Sequence, residues 1–239
     1  MRYSFRFRWV PFIAAVLVVA VGVSLGNWQL RRAEQKLALQ QQMLARAEFE
    51  PVNANAVAPE PETAPEEFRR VLAEGEFISS WSVYLDNRPY QGRAGFYLLM
   101  PFKLAGSEQS VLVMRGWFPR DATDRERIPE IAVPKGVIRL EGRVRASTGK
   151  LMQLGKAAAL QPGAIAQNID IEDVARASKL SLQTFIIEQT NDTADGLVRD
   201  WPIPSVGIDT HKGYAFQWYI LALVAALFFL LTGFKRASN

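Results

Sequence analysis

The chain has 239 residues, a formal net charge of +4 and 49% apolar residues, enough for a packed core together with membrane-spanning segments. It contains no cysteine and one histidine, His211. That excludes disulfides, thiolate zinc, copper and iron–sulfur sites, and Cys-x-x-Cys-His haem attachment. The basic residues are spread along the chain without an aromatic-interleaved stripe, so nucleic acid is not an expected partner.

Arg2, Arg6 and Arg8 precede an uncharged run, Val10 to Leu25, which is bounded by Trp9 and Trp28. Residues 9–28 make about 20 helical residues, roughly 30 Å, the thickness of a hydrocarbon core. The competing reading is a cleaved signal peptide. The run is long for one, and Ser24-Leu25-Gly26 is a weak cleavage match. Residues 9–28 are therefore read as a retained transmembrane helix. No Arg- and Ser-rich transit peptide precedes it, which favours a bacterial cytoplasmic (inner) membrane.

Residues 29–48 continue the helical pattern, with Leu30, Leu37 and Leu44 recurring at a spacing of seven. This stretch reads as an amphipathic stalk packing on an outer domain. Residues 49–67, with Pro51, Pro59, Pro61 and Pro65, read as an extended linker.

From Phe68 the pattern changes to short β-rich runs: 68–79, 82–88, 95–103, 110–118, 137–146 and 183–189. Short turns between several of them argue for antiparallel pairing. The mixed charges of Pro119 to Glu130 read as a solvated loop. Ile171 to Leu180 reads as one short helix, with Asp170 as N-cap and Glu172 and Asp173 in its first turn. Residues 68–210 thus form a β-rich domain of about six strands, an open sheet or partly closed barrel.

Residues 211–234 form the second span. Its apolar core starts at Tyr214, and Lys235 and Arg236 follow it. The positive-inside bias puts residues 1–8 and 235–239 in the cytoplasm and the β domain in the periplasm. The fold expected is a membrane α+β architecture. Two transmembrane helices flank an outward-facing, mainly antiparallel β domain with one or two short helices.

His211 is the leading candidate for chemistry. On a helix it shares a face with Tyr214, Ala215 and Trp218, while Gln217 points elsewhere. One reading makes it an ordinary interfacial residue with Tyr214 and Trp218 as belt aromatics. The other makes it an axial ligand of a haem iron, for which imidazole is the usual donor. The outer end of the first span would bring Trp28 and Gln29 to the depth of His211. Arg31, Arg32, Lys212 and Lys36 would then stand ready to meet anionic propionates. Arg115 interrupts an apolar strand and reads as an ion pair or a cation–π partner of Trp117; alternation puts Val113, Arg115 and Trp117 on one face. Arg88 reads as a turn residue. No hydrolase, phosphate-loop, zincin or dinucleotide motif occurs, and Glu66-Glu67 and Glu172-Asp173 are poorly placed for acid–base work. The expectation is a protein that is not an enzyme.

Four stretches, in order, resemble the surfeit locus protein 1 family, in a bacterial member. They are Gly26-Asn27-Trp28-Gln29-Leu30-Arg31-Arg32 with Lys36; Phe68-Arg69-Arg70-Val71 to Gly75-Glu76-Phe77; the central block from Asn87-Arg88 through Gly95-Phe96-Tyr97 and Met100-Pro101-Phe102 to Val111–Pro119; and His211-Lys212-Gly213-Tyr214-Ala215-Phe216-Gln217-Trp218. The stretch Leu151 to Asp170 departs from the family pattern. The resemblance implies an assembly factor for haem–copper cytochrome c oxidase that binds haem a, with haem b as the alternative, and aids its delivery to subunit I. It carries the haem-ligand role onto His211, which would be the metal ligand of the site. The implied partners are the lipid bilayer, oxidase subunit I and haem a synthase. A haem-free scaffold for subunit I uses the same motifs. An envelope enzyme or copper chaperone is disfavoured by the missing cysteines and the lone histidine.

Overall fold

The computed structural model describes residues 3–5, 7–124, 127–149, 160–202 and 207–236. The chain divides into two compact units. One is Met1–Gln42 with Pro202–Asn239; the other is Met43–Trp201.

The first unit is a helix pair. Helix α1 runs from Trp9 to Ala47, 39 residues or roughly 58 Å at 1.5 Å per residue. Helix α3 runs from Ile208 to Gly233. Both are long and apolar enough to cross a membrane. Glycines let them approach closely. A Cβ on Gly22 would stand 3.0 Å from both Ala222 Cβ and the Trp218 carbonyl oxygen, and one on Gly26 would stand 2.6 Å from the Tyr219 ring. Small residues four apart are how helices meet where no hydrophobic drive operates between them. Short strands β1 (Tyr3–Phe5) and β10 (Phe234–Arg236) pair antiparallel at the far end.

The second unit is built on a five-stranded barrel. Its strands are β3 (Arg70–Phe77), β5 (Gly95–Leu104), β6 (Ser110–Pro119), β7 (Ile138–Arg145) and β9 (Leu182–Gln189). Their order is β3-β7-β9-β6-β5, and β5 pairs back onto β3 to close the ring. Pairing is antiparallel except between β6 and β9. The parallel contact is possible because α2 (Ile171–Ser178) lies in the connection before β9. Closure removes the unpaired edges an open sheet would expose. Phe96, Phe102, Val111, Val113, Leu140, Phe185 and Ile187 fill the barrel.

A second apolar cluster lies on the outer face of the wall. There Leu99, Leu112, Met114 and Ile186 pack with Val83 and Leu85 of β4 (Val83–Leu85), with Val174 of α2, and with Trp201. Strand β6 is therefore covered on both faces, and nine of its ten residues are buried. That is why its sequence is a continuous apolar run rather than an alternation. Strand β8 (Ile165–Ala166) adds parallel to β4.

The Pro-rich stretch is stitched to the barrel. Strand β2 (Val52–Asn53) pairs parallel with β3. The Asn55 amide donates to the Glu74 and Ala105 carbonyls and its oxygen accepts from the Glu74 N–H, so one side chain does the bonding of a strand residue.

Arg115 corrects the expected face. Leu98 pairs with Gly116 and Leu99 with Met114, so Arg115 is the extra residue of a β-bulge. The bulge shifts the alternation: Val113 points into the barrel, and beyond the bulge Phe118, not Trp117, does so. Arg115 lies over Phe77 at 4.7 Å rather than on Trp117, and Trp117 donates its indole N–H to the Arg88 carbonyl. Arg88 itself is buried, donating to the carbonyls of Gly149 and Gln167. Of the departing stretch Leu151 to Asp170, residues 151–159 lie outside the described residues.

Candidate functional site

The site is built from the facing stripes of α1 and α3. Along α1 the less exposed residues are Ala15, Val19, Gly22, Gly26, Gln29, Ala33 and Lys36, alternating steps of four and three. That is a heptad seam. Along α3 the matching stripe is His211, Ala215, Trp218, Tyr219 and Ala222. The contacts run antiparallel: Gly22 with Ala222, Gly26 and Asn27 with Tyr219, Gln29 with His211, and Lys36 beside Gly207.

Two polar contacts mark this seam. The Tyr219 hydroxyl donates to Asn27 Oδ1 at 2.7 Å, and His211 Nδ1 lies 2.7 Å from Gln29 Oε1. His211 sits in the first turn of α3, its backbone N–H bonded to the Gly207 carbonyl. Gly207 caps the helix at φ +93°, and a Cβ there would come 3.4 Å from Lys36 Nζ. His211, Arg32, Gln35, Lys36 and Leu39 line a shallow cleft of about 220 Å³. No hydrogen bond is made by His211 Nε2 among the described residues.

The other expected site residues divide. Arg32 lines the cleft, lies 5.9 Å over the Trp28 ring and donates to Gln35 Oε1. Gln29 is half-buried against His211. Trp218 is half-buried on the seam, whereas Tyr214 is 49% exposed and Trp28 46% exposed on the helix surfaces. Arg31 is exposed and does not line the cleft. Gln35 and Leu39 escaped the sequence reading. The signal for both was the three-and-four spacing from Arg32 and Lys36, which places them on the same helical face.

The heptad seen in the sequence is offset from the heptad that is buried. Leu30, Leu37 and Leu44 are 37%, 41% and 63% exposed, while the seam passes one position earlier, through Gln29, Lys36 and Met43.

Comparison with known proteins places this geometry. The model of the SURF1 family matches residues 16–223, a stretch containing the whole barrel, most of α1 and the first part of α3 with His211. The chain belongs to the SURF1 family. It is 23% identical to a SURF1-like protein of Rickettsia felis over 92% of this chain and 95% of that protein. It is 26% identical to the cytochrome oxidase assembly protein SHY1 of Saccharomyces cerevisiae, over 46% of this chain and 29% of the yeast protein. It is 30% identical to surfeit locus protein 1 of Arabidopsis thaliana, over 45% of this chain and 33% of the plant protein. The match thus spans a third or less of the yeast and plant relatives.

A haem fits the donor set of this SURF1 family chain. Among the described residues no group of three or more His, Asp or Glu side chains could hold a metal ion. A lone imidazole suits an iron whose in-plane positions a porphyrin already fills. Arg32 and Lys36 beside it suit carboxylates.

Proposed function

We propose that this chain is an assembly factor for cytochrome c oxidase that binds haem a through His211 and aids its delivery to subunit I. The carrying observation is His211, which lines a cleft with Arg32 and Lys36 and whose Nε2 makes no hydrogen bond among the described residues. Support for the assembly role comes from the family match and from the yeast relative, a cytochrome oxidase assembly protein. Bound haem would supply an iron centre that an imidazole nitrogen can ligate.

The chain's own residues do the rest. His211 Nε2 would donate its lone pair. Arg32 and Lys36 would hold the propionates, and Trp28, Tyr214 and Trp218 would offer aromatic surface to the ring. In this reading the helices cross a bacterial inner membrane with both termini cytoplasmic. The barrel stands in the periplasm and the cleft lies at the outer interface, within reach of subunit I and of haem a synthase. The protein itself catalyses no reaction.

The test is the visible spectrum of the full chain purified from cells that make haem a. We expect a Soret band that is lost or strongly shifted in His211→Ala. An unchanged band in the mutant excludes His211 as the main ligand.

A second reading, a haem-free scaffold for subunit I, is favoured by the exposed ridge of Leu30, Leu37 and Leu44, which offers a protein contact surface. It requires that subunit I co-purify equally well with wild type and with His211→Ala.

A further inference from the structure

The seam brings one neutral amide to the single imidazole of the chain. Gln29 is fixed on α1 between Gly26 and Ala33, both buried. His211 is fixed in the first turn of α3 by its backbone bond to Gly207. The resulting contact joins Nδ1 of the ring to Oε1 of the amide at 2.7 Å, a full hydrogen bond. A carbonyl oxygen only accepts, so the proton of this bond belongs to Nδ1. A neutral imidazole carries one proton. With Nδ1 protonated, Nε2 keeps its lone pair bare and faces away from the bond.

We propose that Gln29 is a positioning residue for His211: its side-chain carbonyl holds the ring in the Nδ1–H form and so keeps Nε2 available as a donor. The role as a haem ligand draws on the function proposed above; the tautomer does not, and it exists whether or not haem binds. Hydrogen bonds of this kind orient ligating histidines and raise their basicity, and their loss costs about 10–100-fold in metal affinity. The opposite amide orientation would aim an N–H at Nδ1 and leave the ring proton on Nε2, where no metal could bind. The two arrangements are therefore chemically distinct, and one of them defeats the site.

One histidine in 239 residues makes the test clean, because ¹⁵N-histidine labelling reports a single ring. Spectra of the haem-free full chain in detergent micelles, at alkaline pH where imidazole is neutral, are expected to show Nδ1 protonated and Nε2 bare. Gln29→Leu should raise the Nε2–H share, and Gln29→Glu, which supplies an acceptor only, should restore the Nδ1–H form. A bare Nδ1 in the wild type, or a tautomer unmoved by Gln29→Leu, overturns the proposal.

Titration with ferric haem adds a second readout. Affinity should fall about 10–100-fold in Gln29→Leu and recover in Gln29→Glu. The iron of the Gln29→Glu complex should also have a lower midpoint potential than wild type, since a carboxylate makes the imidazole the stronger donor. If haem does not depend on His211 but the tautomer follows Gln29, the ligand reading fails alone. If haem depends on His211 but the tautomer ignores Gln29, the positioning role fails alone.

Discussion

In the barrel unit, Arg115 and Asp195 have fully buried side chains and meet at 2.6 Å. In the helix unit, His211 is only half-buried and meets the neutral Gln29. The barrel pairs these two charges with each other. Asp195 also accepts from Arg199, Thr193 and the Leu197 N–H. Burial alone would raise its carboxyl, but these bonds outweigh it and hold it below the ordinary value. Burial likewise lowers the Arg115 guanidinium, with Asp195 opposing. The helix unit keeps a donor atom in reserve and sets cations beside it. The difference separates buried charges that pair with each other from an imidazole that leaves one ring nitrogen unbonded among the described residues.

The comparison breaks most easily at Arg115. Removing one member of a buried pair costs about 3–5 kcal/mol when the other charge is left unpaired, and Asp195, which keeps Arg199, puts the loss at the lower end of that range. Arg115→Ala should therefore lose stability on that order in urea unfolding of the full chain, followed by fluorescence of the buried Trp117 and Trp201. His211→Ala should leave the same transition within about 0.5 kcal/mol of wild type, as expected for a partly exposed side chain outside a core. Similar losses in the two variants would erase the distinction between the two regions.

A smaller effect is expected at the helix seam. Any side chain on Gly26 meets the Tyr219 ring at 2.6 Å or closer. Overpacking of this kind costs about 1–3 kcal/mol. The chain has no cysteine, so an introduced pair gives an unambiguous cross-link. A Cβ on Gly22 would stand 3.0 Å from that of Ala222, so Gly22→Cys with Ala222→Cys should cross-link, and adding Gly26→Leu should cut the yield severalfold. An undiminished yield would mean that the small residues do not set the helix approach.

Much of this layout was legible in the sequence. The six strand runs correspond to β3, β4, β5, β6, β7 and β9, because their apolar runs and the turn residues between them are local signals. The spans were equally plain, since length and hydropathy carry them. Closure of β5 onto β3 and the parallel β6–β9 contact were not legible, because both are decided by pairings far apart in sequence. The bulge at Arg115 was hidden for another reason. A one-residue insertion leaves the residue types unchanged while reversing the faces beyond it. At the site, His211 stood out by its rarity. Gln29 was expected in the site for its depth alone, and its bond to Nδ1 needed both helices in place. The leucine heptad read as a stalk face does not mark the approach to α3, because on α1 the closest approach selects small residues rather than large ones.

Glu188 tests the barrel side of the comparison most gently. It is buried on β9 between Arg145, 3.1 Å away, and Arg143, 3.0 Å away, the second without hydrogen-bond geometry. Burial raises its carboxyl above the ordinary 4.5, and Arg145 and Arg143 oppose that shift without cancelling it. A carboxyl raised in the folded state contributes stability that is full below the unfolded value and is lost as pH rises through the folded value. Glu188→Gln has no such dependence, since its side chain is neutral throughout. Its stability relative to wild type should therefore climb as pH rises above the ordinary 4.5 in parallel urea titrations. A relative stability that falls with pH would show that attraction to the two arginines outweighs burial. The barrel would then hold Glu188 as a charge it gains from, rather than as one it tolerates.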